Sequence, residues 1–191
     1  MTTTTATTIP PTWLPPIVPF RGDWTPFIKA LHALFSIDFK SGTLRFRGYP
    51  VWYDRRVLRD DPYGYEEGFW HLVTRDEWVY NHAKRCKEKQ RLPDIERARH
   101  LPWGKPTIEH ETEPELLVWD FEDELKQGKI VRTYLWLKHL DYVVILEKQA
   151  KERGEVFMLI TTFLVDALAK QADLESRYQR RKNEAPAVAG A

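Results

Sequence analysis

The sequence predicts an α+β domain with a mainly antiparallel four-stranded C-terminal sheet, helices packed on one face of it, and a basic C-terminal helix. Three observations favour this fold. Four segments rich in β-branched and aromatic residues follow one another, LLVWDFED, IVRTYLWL, YVVILEK and EVFMLITTFLV. Short turns separate the last three, which allows antiparallel hairpins and excludes helical crossovers. Helical patterns precede and follow these strands, an order typical of α+β proteins.

The length and composition predict one packed domain. The chain has 191 residues, of which 42% are hydrophobic and eight are tryptophan. Residues 1–22 are rich in Thr and Pro and predict a flexible lead, residues 23–183 form the domain, and residues 184–191 predict a flexible tail. Docking of Trp13 and Leu14 onto the domain is left open.

Local signals in the first half of the chain predict one helix and several strands. Thr25 as the cap and Pro26 as the first helical residue start a helix over residues 26–36, where apolar residues recur at helical spacing. Short strands are predicted around Leu44 and Val51. The segment GFWHLVTR predicts a further strand.

The next elements are predicted mainly from charge and capping residues. Residues 76–92 are strongly charged and indicate either a solvated helix or a loop. Asp94 predicts the cap of a short helix, DIERARHL, and residues 106–115 predict a connecting loop. Asp166 predicts the cap of the last helix, ALAKQADLESRYQRRK, whose C-terminal arginines complement the helix dipole.

Several function classes are disfavoured. Cys86 is the only cysteine, so the chain forms no intrachain disulfide and no thiolate zinc cluster, and we interpret it as a bystander thiol. The N-terminus has no basic segment followed by an apolar one, and the longest apolar runs are far short of the ~20 residues of a membrane span. A cytoplasmic protein without membrane contact is expected. No Walker, GxGxxG or HExxH motif is present, so no cofactor and no metal are expected.

Charge is sorted along the sequence although the formal net charge is only +1. Residues 82–105 carry eight Lys/Arg against three Asp/Glu, and residues 107–125 carry eight Asp/Glu and no Lys/Arg. Such segregation predicts a basic surface of the kind that binds a phosphate backbone. The alternative is a solvated face bridged to the acidic segment.

The residue types left for catalysis suit metal-independent cleavage of RNA. This reaction needs a base for the 2′-hydroxyl, an acid for the leaving oxygen, and cations for the transition state. His71 is the best acid–base residue, because packing on the predicted strand would fix its ring. Strand alternation then places His71 and Arg75 on one face and Thr74 on the other. The alternative is a satisfied structural histidine.

Other residues could bind or position the phosphate. Arg97 and Arg99 lie on the DIERARHL helix, and Arg132 and Tyr134 share one face of the strand IVRTYLWL. Thr161 interrupts the apolar strand LITTFLV and could orient a phosphate. The alternative for these sets is surface charge and half-buried aromatic residues.

The order of these motifs resembles a known family. FWHLVTR, ERARHLPWGKPTIEH, RTYLWL, YVVILE and LITTFLV, followed by a basic helix, resemble the phage-associated BECR-type nucleases, which are relatives of barnase, EndoU, colicin D and RelE. The resemblance covers residues 24–182. It implies a metal-independent endoribonuclease of toxin type. The catalytic residues it implies are His71, Arg97, Tyr134 and Thr161, with Thr74 and Arg75 beside His71. We expect Thr74 and Arg75, together with the basic residues Arg99, Lys105 and Arg132, to bind the substrate.

Two alternatives to the ribonuclease stay open at this point. One is a non-catalytic module that binds nucleic acid, and the other is a protein-interaction component of a mobile element. The expected partner is RNA, and if the protein is a toxin, an antitoxin or inhibitor protein is expected as well. An acidic surface on that inhibitor would cover the basic residues 82–105.

Overall fold

Five α-helices and eight β-strands form an α+β fold in the computed structural model, which describes residues 9–125 and 128–181. The helices are α1 Trp24–Phe39, α2 Glu67–Val73, α3 Ile95–Arg99, α4 Gly104–Glu109 and α5 Leu168–Gln179. The strands are β1 Arg45–Phe46, β2 Tyr49–Trp52, β3 Thr74–Asn81, β4 Cys86–Pro93, β5 Leu116–Leu125, β6 Gly128–Leu137, β7 Tyr142–Lys151 and β8 Gly154–Leu164. The α+β class predicted from the sequence is therefore confirmed.

The main sheet has six strands and mixed directions. Its order is β1-β2-β8-β7-β6-β5, and the four predicted C-terminal strands form a consecutive antiparallel meander within it. Strand β2 joins β8 in parallel through only two pairs, Val51 with Phe157 and Trp52 with Met158. The prediction of a four-stranded antiparallel sheet is therefore wrong, because an early segment adds to the far edge by a long-range pairing.

Helices cover both faces of this sheet, and the prediction that they pack on one face is also wrong. Leu135 and Val144 belong to the core shared with α1 to α4, whereas Trp136 and Val143 pack with Leu174 of α5. Successive side chains of a strand point to opposite faces. A strand covered on both sides is therefore apolar throughout, as the buried run Tyr142–Leu146 shows.

Helix α1 includes the predicted residues 26–36 but begins earlier. The Asp23 carboxylate accepts a hydrogen bond from the Thr25 amide, so Asp23 is the cap rather than Thr25. The helix buries one apolar face against the sheet, formed by Phe27, Ile28, Leu31, Phe35 and Phe39.

The segment GFWHLVTR is helical over most of its length, so the predicted strand is wrong. The amides of Glu67 and Gly68 donate to the carbonyls of Arg56 and Asp54, which fixes the first turn of α2 on the chain after β2. A Cβ on Gly68 would lie 3.0 Å from the backbone of Asp54, so glycine is required for this close approach. The strand β3 begins only at Thr74.

Residues 76–92 belong to a β-hairpin, so the helix and the loop considered for them are both wrong. Strands β3 and β4 pair over eight positions, from Thr74 with Pro93 to Asn81 with Cys86. Asp76 lies directly opposite Arg91 across the hairpin, and the Asp76 carboxylate also lies 2.6 Å from Lys89 Nζ on the diagonal. Such cross-strand pairs stabilise a ribbon whose residue composition alone does not favour strands.

The cap of α3 is confirmed, and two neighbouring predictions are not. Asp94 accepts a hydrogen bond from the Arg97 amide at the start of α3. Residues 106–109 belong to α4, so only the rest of the predicted 106–115 loop lacks helix or strand. Asp166 does not cap α5, because its carboxylate accepts from Lys170 Nζ and the residue before the helix is Ala167.

Residues of the predicted lead contact the domain. Leu14 is buried, Trp13 stacks on His110, and the Trp103 indole donates to the Pro15 carbonyl at 2.9 Å. Trp13 and Leu14 therefore dock on the domain, which is the option that the sequence left open beside a flexible lead. Residues 1–8 of the lead and the predicted tail, 184–191, lie outside the described residues. No helix in the described part of the chain is long and apolar enough to cross a membrane.

Phe35 provides a test of the core between α1 and α2. It is fully buried, and its ring contacts those of Phe39, Tyr53 and Phe69. Phe35→Ala should lower the free energy of unfolding by about 3 to 5 kcal/mol, because it leaves a cavity, as measured by chemical denaturation. Ile37→Ala on the exposed side of α1 is the matched control and should change it by less than about 0.5 kcal/mol. Equal losses would contradict the packing described here.

Candidate acid–base site

His71 lies in the last turn of α2, where its imidazole is partly open to solvent. The side chain is 44% exposed, and Nε2 lies 3.7 Å from Glu67 Oε2 one turn earlier in the helix. Residues four apart share one face of a helix, so this contact follows from the helical structure. The predicted strand pairing of His71 and Arg75 on one face does not apply to a helix.

Glu67 is a buried carboxylate held by an arginine of the hairpin. Arg91 Nη1 donates to Oε1 at 3.1 Å and Nη2 donates to Oε2 at 2.9 Å. Such a bidentate pair fixes both groups and compensates for burial of the carboxylate. The ion pair therefore places one fixed negative and one fixed positive group beside the imidazole of His71.

The pKa of His71 is lowered, first because the ring is partly buried and second because Arg91 is positively charged. Glu67, Asp76 and Asp54 oppose this shift without cancelling it. The imidazole is therefore neutral at neutral pH and can accept a proton. By linkage, a lowered folded-state pKa means that this group's contribution to stability decreases as the pH falls below about 6.5.

Three of the predicted site residues donate hydrogen bonds to backbone carbonyls at the end of α2 rather than lining an open site. Arg97 Nη1 donates to the Thr74 carbonyl at 2.5 Å and lies 3.4 Å from the His71 carbonyl, to which Thr161 Oγ1 donates at 3.1 Å. Thr74 Oγ1 donates to the Trp70 carbonyl at 2.5 Å. The last carbonyls of a helix lack intrahelical hydrogen-bond donors, and these side chains provide donors at the end of α2. Arg97 and Thr161 are therefore positioned to fix His71 through its carbonyl, and Thr74 fixes the preceding residue Trp70.

Arg75, Arg99 and Lys105 contact local carboxylates. Arg75 Nη2 lies 2.7 Å from Glu77, and Arg99 Nη1 lies 2.8 Å from Glu96. Lys105 Nζ is 3.9 Å from Asp38 and 4.0 Å from Glu109. Of the three, Arg75 is the most exposed and directly follows Thr74 at the end of α2.

Tyr134 lies on the sheet face that α5 covers. Its hydroxyl donates to Asp123 Oδ2 at 2.7 Å and accepts from Arg177 Nη1 at 2.8 Å. Arg132 lies 3.8 Å from Asp123 and 3.6 Å from Glu147. Burial and the neighbouring Asp123 raise the pKa of Tyr134, so its hydroxyl stays protonated.

An open cleft of about 510 Å³ lies beside this network. Its walls include Arg132, Tyr134, Phe163, Lys170 and Arg177. The register places Tyr134, Ile145 and Thr161 in one row across β6, β7 and β8, so Tyr134 and Thr161 face the same side of the sheet. At about 4.8 Å per strand, these two residues are roughly 10 Å apart.

The structure thus gathers the predicted residues only in part. Arg97 and Thr161 contact the carbonyl of His71, and Thr74 binds the carbonyl of Trp70. Tyr134 and Arg132 lie on the sheet face that Thr161 shares. The sequence analysis missed Glu67 and Arg91. Glu67 could have been found from its spacing of four to His71 if the segment had been recognised as a helix. Arg91 had no local signal, because only the register of the hairpin brings it there.

The chain matches no known family model, no curated protein and no solved structure. The resemblance to BECR-type nucleases therefore stays a prediction. In the described ranges, 9–125 and 128–181, no group of three or more His, Cys, Asp or Glu side chains could hold a metal ion.

The charge of Arg91 should control the ionisation of His71. Arg91→Met removes a positive charge from the neighbourhood of the imidazole, so the pKa of His71 should rise, as measured by an NMR titration assigned with the His71→Gln variant. Arg91→Lys is the matched control, because it keeps the charge and should leave the pKa closer to that of the unmodified protein. A pKa that falls or stays constant in Arg91→Met would contradict the electrostatic account.

The Tyr134 network should contribute to stability. Tyr134→Phe removes the hydroxyl between Asp123 and Arg177, both partly or fully withdrawn from solvent, and should lower the free energy of unfolding by about 2 kcal/mol. Tyr80→Phe removes an exposed hydroxyl and is the matched control. Chemical denaturation of both variants measures the difference. An unchanged stability in Tyr134→Phe would show that the buried hydrogen bonds are not net stabilising.

Proposed function

We propose that this protein is a metal-independent endoribonuclease in which His71 transfers protons during cleavage of RNA. The observation that carries the proposal is the half-exposed imidazole of His71, with its pKa lowered and with Glu67 and Arg91 fixed beside it. A histidine that is both accessible and neutral near physiological pH has the properties of a general base. Its fixed charged neighbours distinguish it from an isolated surface histidine.

The proposed first step is removal of the 2′-hydroxyl proton by neutral His71. The 2′ oxygen attacks the adjacent phosphorus, the bond from phosphorus to the 5′ oxygen breaks, and a 2′,3′-cyclic phosphate forms. The departing 5′ oxygen takes a proton from water, and His71 later releases its own proton to solvent. Glu67 stabilises the imidazolium while it exists, since a carboxylate lies 3.7 Å from Nε2.

Positive charge near the imidazole supports the phosphate chemistry. Arg91 is fixed on the buried Glu67, and its charge acts on the imidazole, so it could stabilise the extra negative charge of the phosphorus transition state. Arg75, which the sequence analysis proposed as a second such cation, follows α2 by two residues and pairs with Glu77. Arg97 and Thr161 have a different proposed role, because their donors already bind backbone carbonyls at the end of α2. We assign them as positioning residues for His71.

A second candidate function is binding of nucleic acid without cleavage. One observation favours it: Arg97 Nη1 and the hydroxyls of Tyr134 and Thr161 already donate hydrogen bonds to other groups of the protein. Of the four implied catalytic residues, His71 is then the one with a partly exposed side chain and a lowered pKa, so that it can accept a proton. Under this alternative exposed cations among residues 82–105 would hold RNA, and His71 would serve only as a polar contact. The toxin role and the inhibitor partner remain proposals that depend on cleavage activity.

Cleavage of total cellular RNA, including tRNA, by the purified protein in EDTA tests the proposal. His71→Ala should reduce the rate by about 10²-fold or more, because the general base is lost, while circular dichroism shows an unchanged fold. His139→Ala is the matched control, since His139 is an exposed histidine on the turn Lys138–Leu140. It should cleave at the normal rate.

The other outcomes separate the two candidate functions. Equal cleavage by the unmodified protein and by His71→Ala would overturn the assignment of His71. Retention of RNA at low salt with no cleavage by any variant would overturn the ribonuclease and favour the binding module. No affinity for RNA at low salt would contradict both candidates.

A further inference from the structure

The β3–β4 hairpin has an exposed face that combines aromatic rings with basic side chains. Trp78 is 69% exposed and Tyr80 is 48% exposed, although large aromatic side chains are normally at least partly buried. Both belong to β3, two residues apart, so they point to the same side of the ribbon. At about 3.4 Å per residue, their attachment points are roughly 6.8 Å apart along the strand.

Lysines of β4 lie directly across from these rings. The register pairs Trp78 with Lys89 and Tyr80 with Lys87, and residues directly opposite share one face of an antiparallel pair. His82, in the turn, has its ring 5.0 Å from that of Tyr80. Residues 75–92 together carry six Lys/Arg and three Asp/Glu, a difference of +3. The hairpin therefore combines exposed aromatic rings with an excess of positively charged side chains.

This face is continuous with the acid–base site. Lys89 Nζ lies 2.6 Å from Asp76 Oδ2, and Arg91 Nε lies 3.9 Å from Asp76 Oδ1. Arg91 in turn holds Glu67, which lies beside His71. A ligand lying along the rings from Tyr80 to Trp78 would therefore approach the imidazole of His71.

We propose that this hairpin face binds unpaired RNA, with successive bases stacked on Tyr80 and Trp78 and the phosphates near Lys87 and Lys89, and that it guides a single strand towards His71. Stacking of bases on exposed aromatic rings, with lysines along the backbone, is the general means by which proteins bind single strands. Duplex RNA keeps its bases stacked inside the helix and cannot use the rings in this way. The inference rests on the proposed function in taking RNA as the ligand, and it adds that the substrate is single-stranded.

The turn of the hairpin supports a defined surface. Asn81 Oδ1 accepts from the amides of Ala83 and Lys84, and Asn81 Nδ2 donates to Glu88. These bonds fix the loop that connects the two strands. Exposed aromatic rings on an ordered ribbon lose little conformational freedom on binding, which favours their use as a stacking surface.

The test measures binding without turnover. In the His71→Ala background, the affinity for a fluorescein-labelled oligouridine and for a labelled RNA duplex of equal length is measured by fluorescence anisotropy. Trp78→Ala should weaken binding of the single strand about tenfold and leave binding of the duplex nearly unchanged. Trp78→Phe keeps a stacking ring and should retain most of the affinity. Ile37→Ala is the control for an exposed apolar residue on another surface.

Failure of this inference can be distinguished from failure of the proposed function. If Trp78→Ala and Tyr80→Ala bind oligouridine as tightly as the parent and the native chain cleaves RNA, the proposed role of the hairpin face is overturned and the ribonuclease stands. Equal weakening of single strand and duplex would also overturn it, because a stacking surface discriminates between them. If oligouridine binding depends on the rings but the native chain does not cleave RNA, the proposed role of the hairpin face is supported and only the proposed ribonuclease activity is overturned.

Discussion

The outer edge of β8 is the constraint on which the candidate site depends. Strand β2 covers this edge at only two pairs, Phe157 and Met158, and the strand continues to Leu164. An uncovered edge leaves backbone groups without partners and invites pairing with other chains. Helix α2 packs along this stretch, and Thr161 of β8 binds the carbonyl of His71 at its end. The need to cover the edge thus places His71 where it is.

The same arrangement explains how the hairpin becomes part of the site. Strand β3 follows α2 without a break at Thr74, and Arg97 of α3 donates to the carbonyl of that residue. The hairpin is thereby fixed at its base by α2 and α3, while its turn extends away from them. Arg91 returns on β4 to reach Glu67. One ion pair therefore links an exposed ribbon to a histidine held on the sheet edge.

The segregation of charge along the sequence predicted one basic surface, but the folded chain pairs or buries several of these cations. Several cations of residues 82–105 are paired with nearby carboxylates, including Lys84 with Glu88 and Arg99 with Glu96. Exposed pairs of this kind contribute little to stability and are weakened by salt, so they remain able to exchange a carboxylate for a phosphate. Arg97 differs, because it is mostly buried and bound to backbone carbonyls. A basic stretch of sequence is therefore not one basic surface.

The sequence by itself determined the local parts of this protein. The meander β5 to β8, the helix α1 and the cap Asp94 follow from apolar periodicity, short turns and capping chemistry, all of which act between near neighbours. His71 could be singled out by its residue type. The remaining features depend on contacts between distant segments. FWHLV is mainly apolar and short enough to form either a strand or a helix. Its packing against β8 and the hydrogen bond of the neighbouring Gly68 amide to Asp54 favour the helix. The pairing of β2 with β8, the hairpin register that brings Arg91 to Glu67, and the cover on both sheet faces were decided by tertiary structure, because no local pattern encodes which distant residue will be the partner.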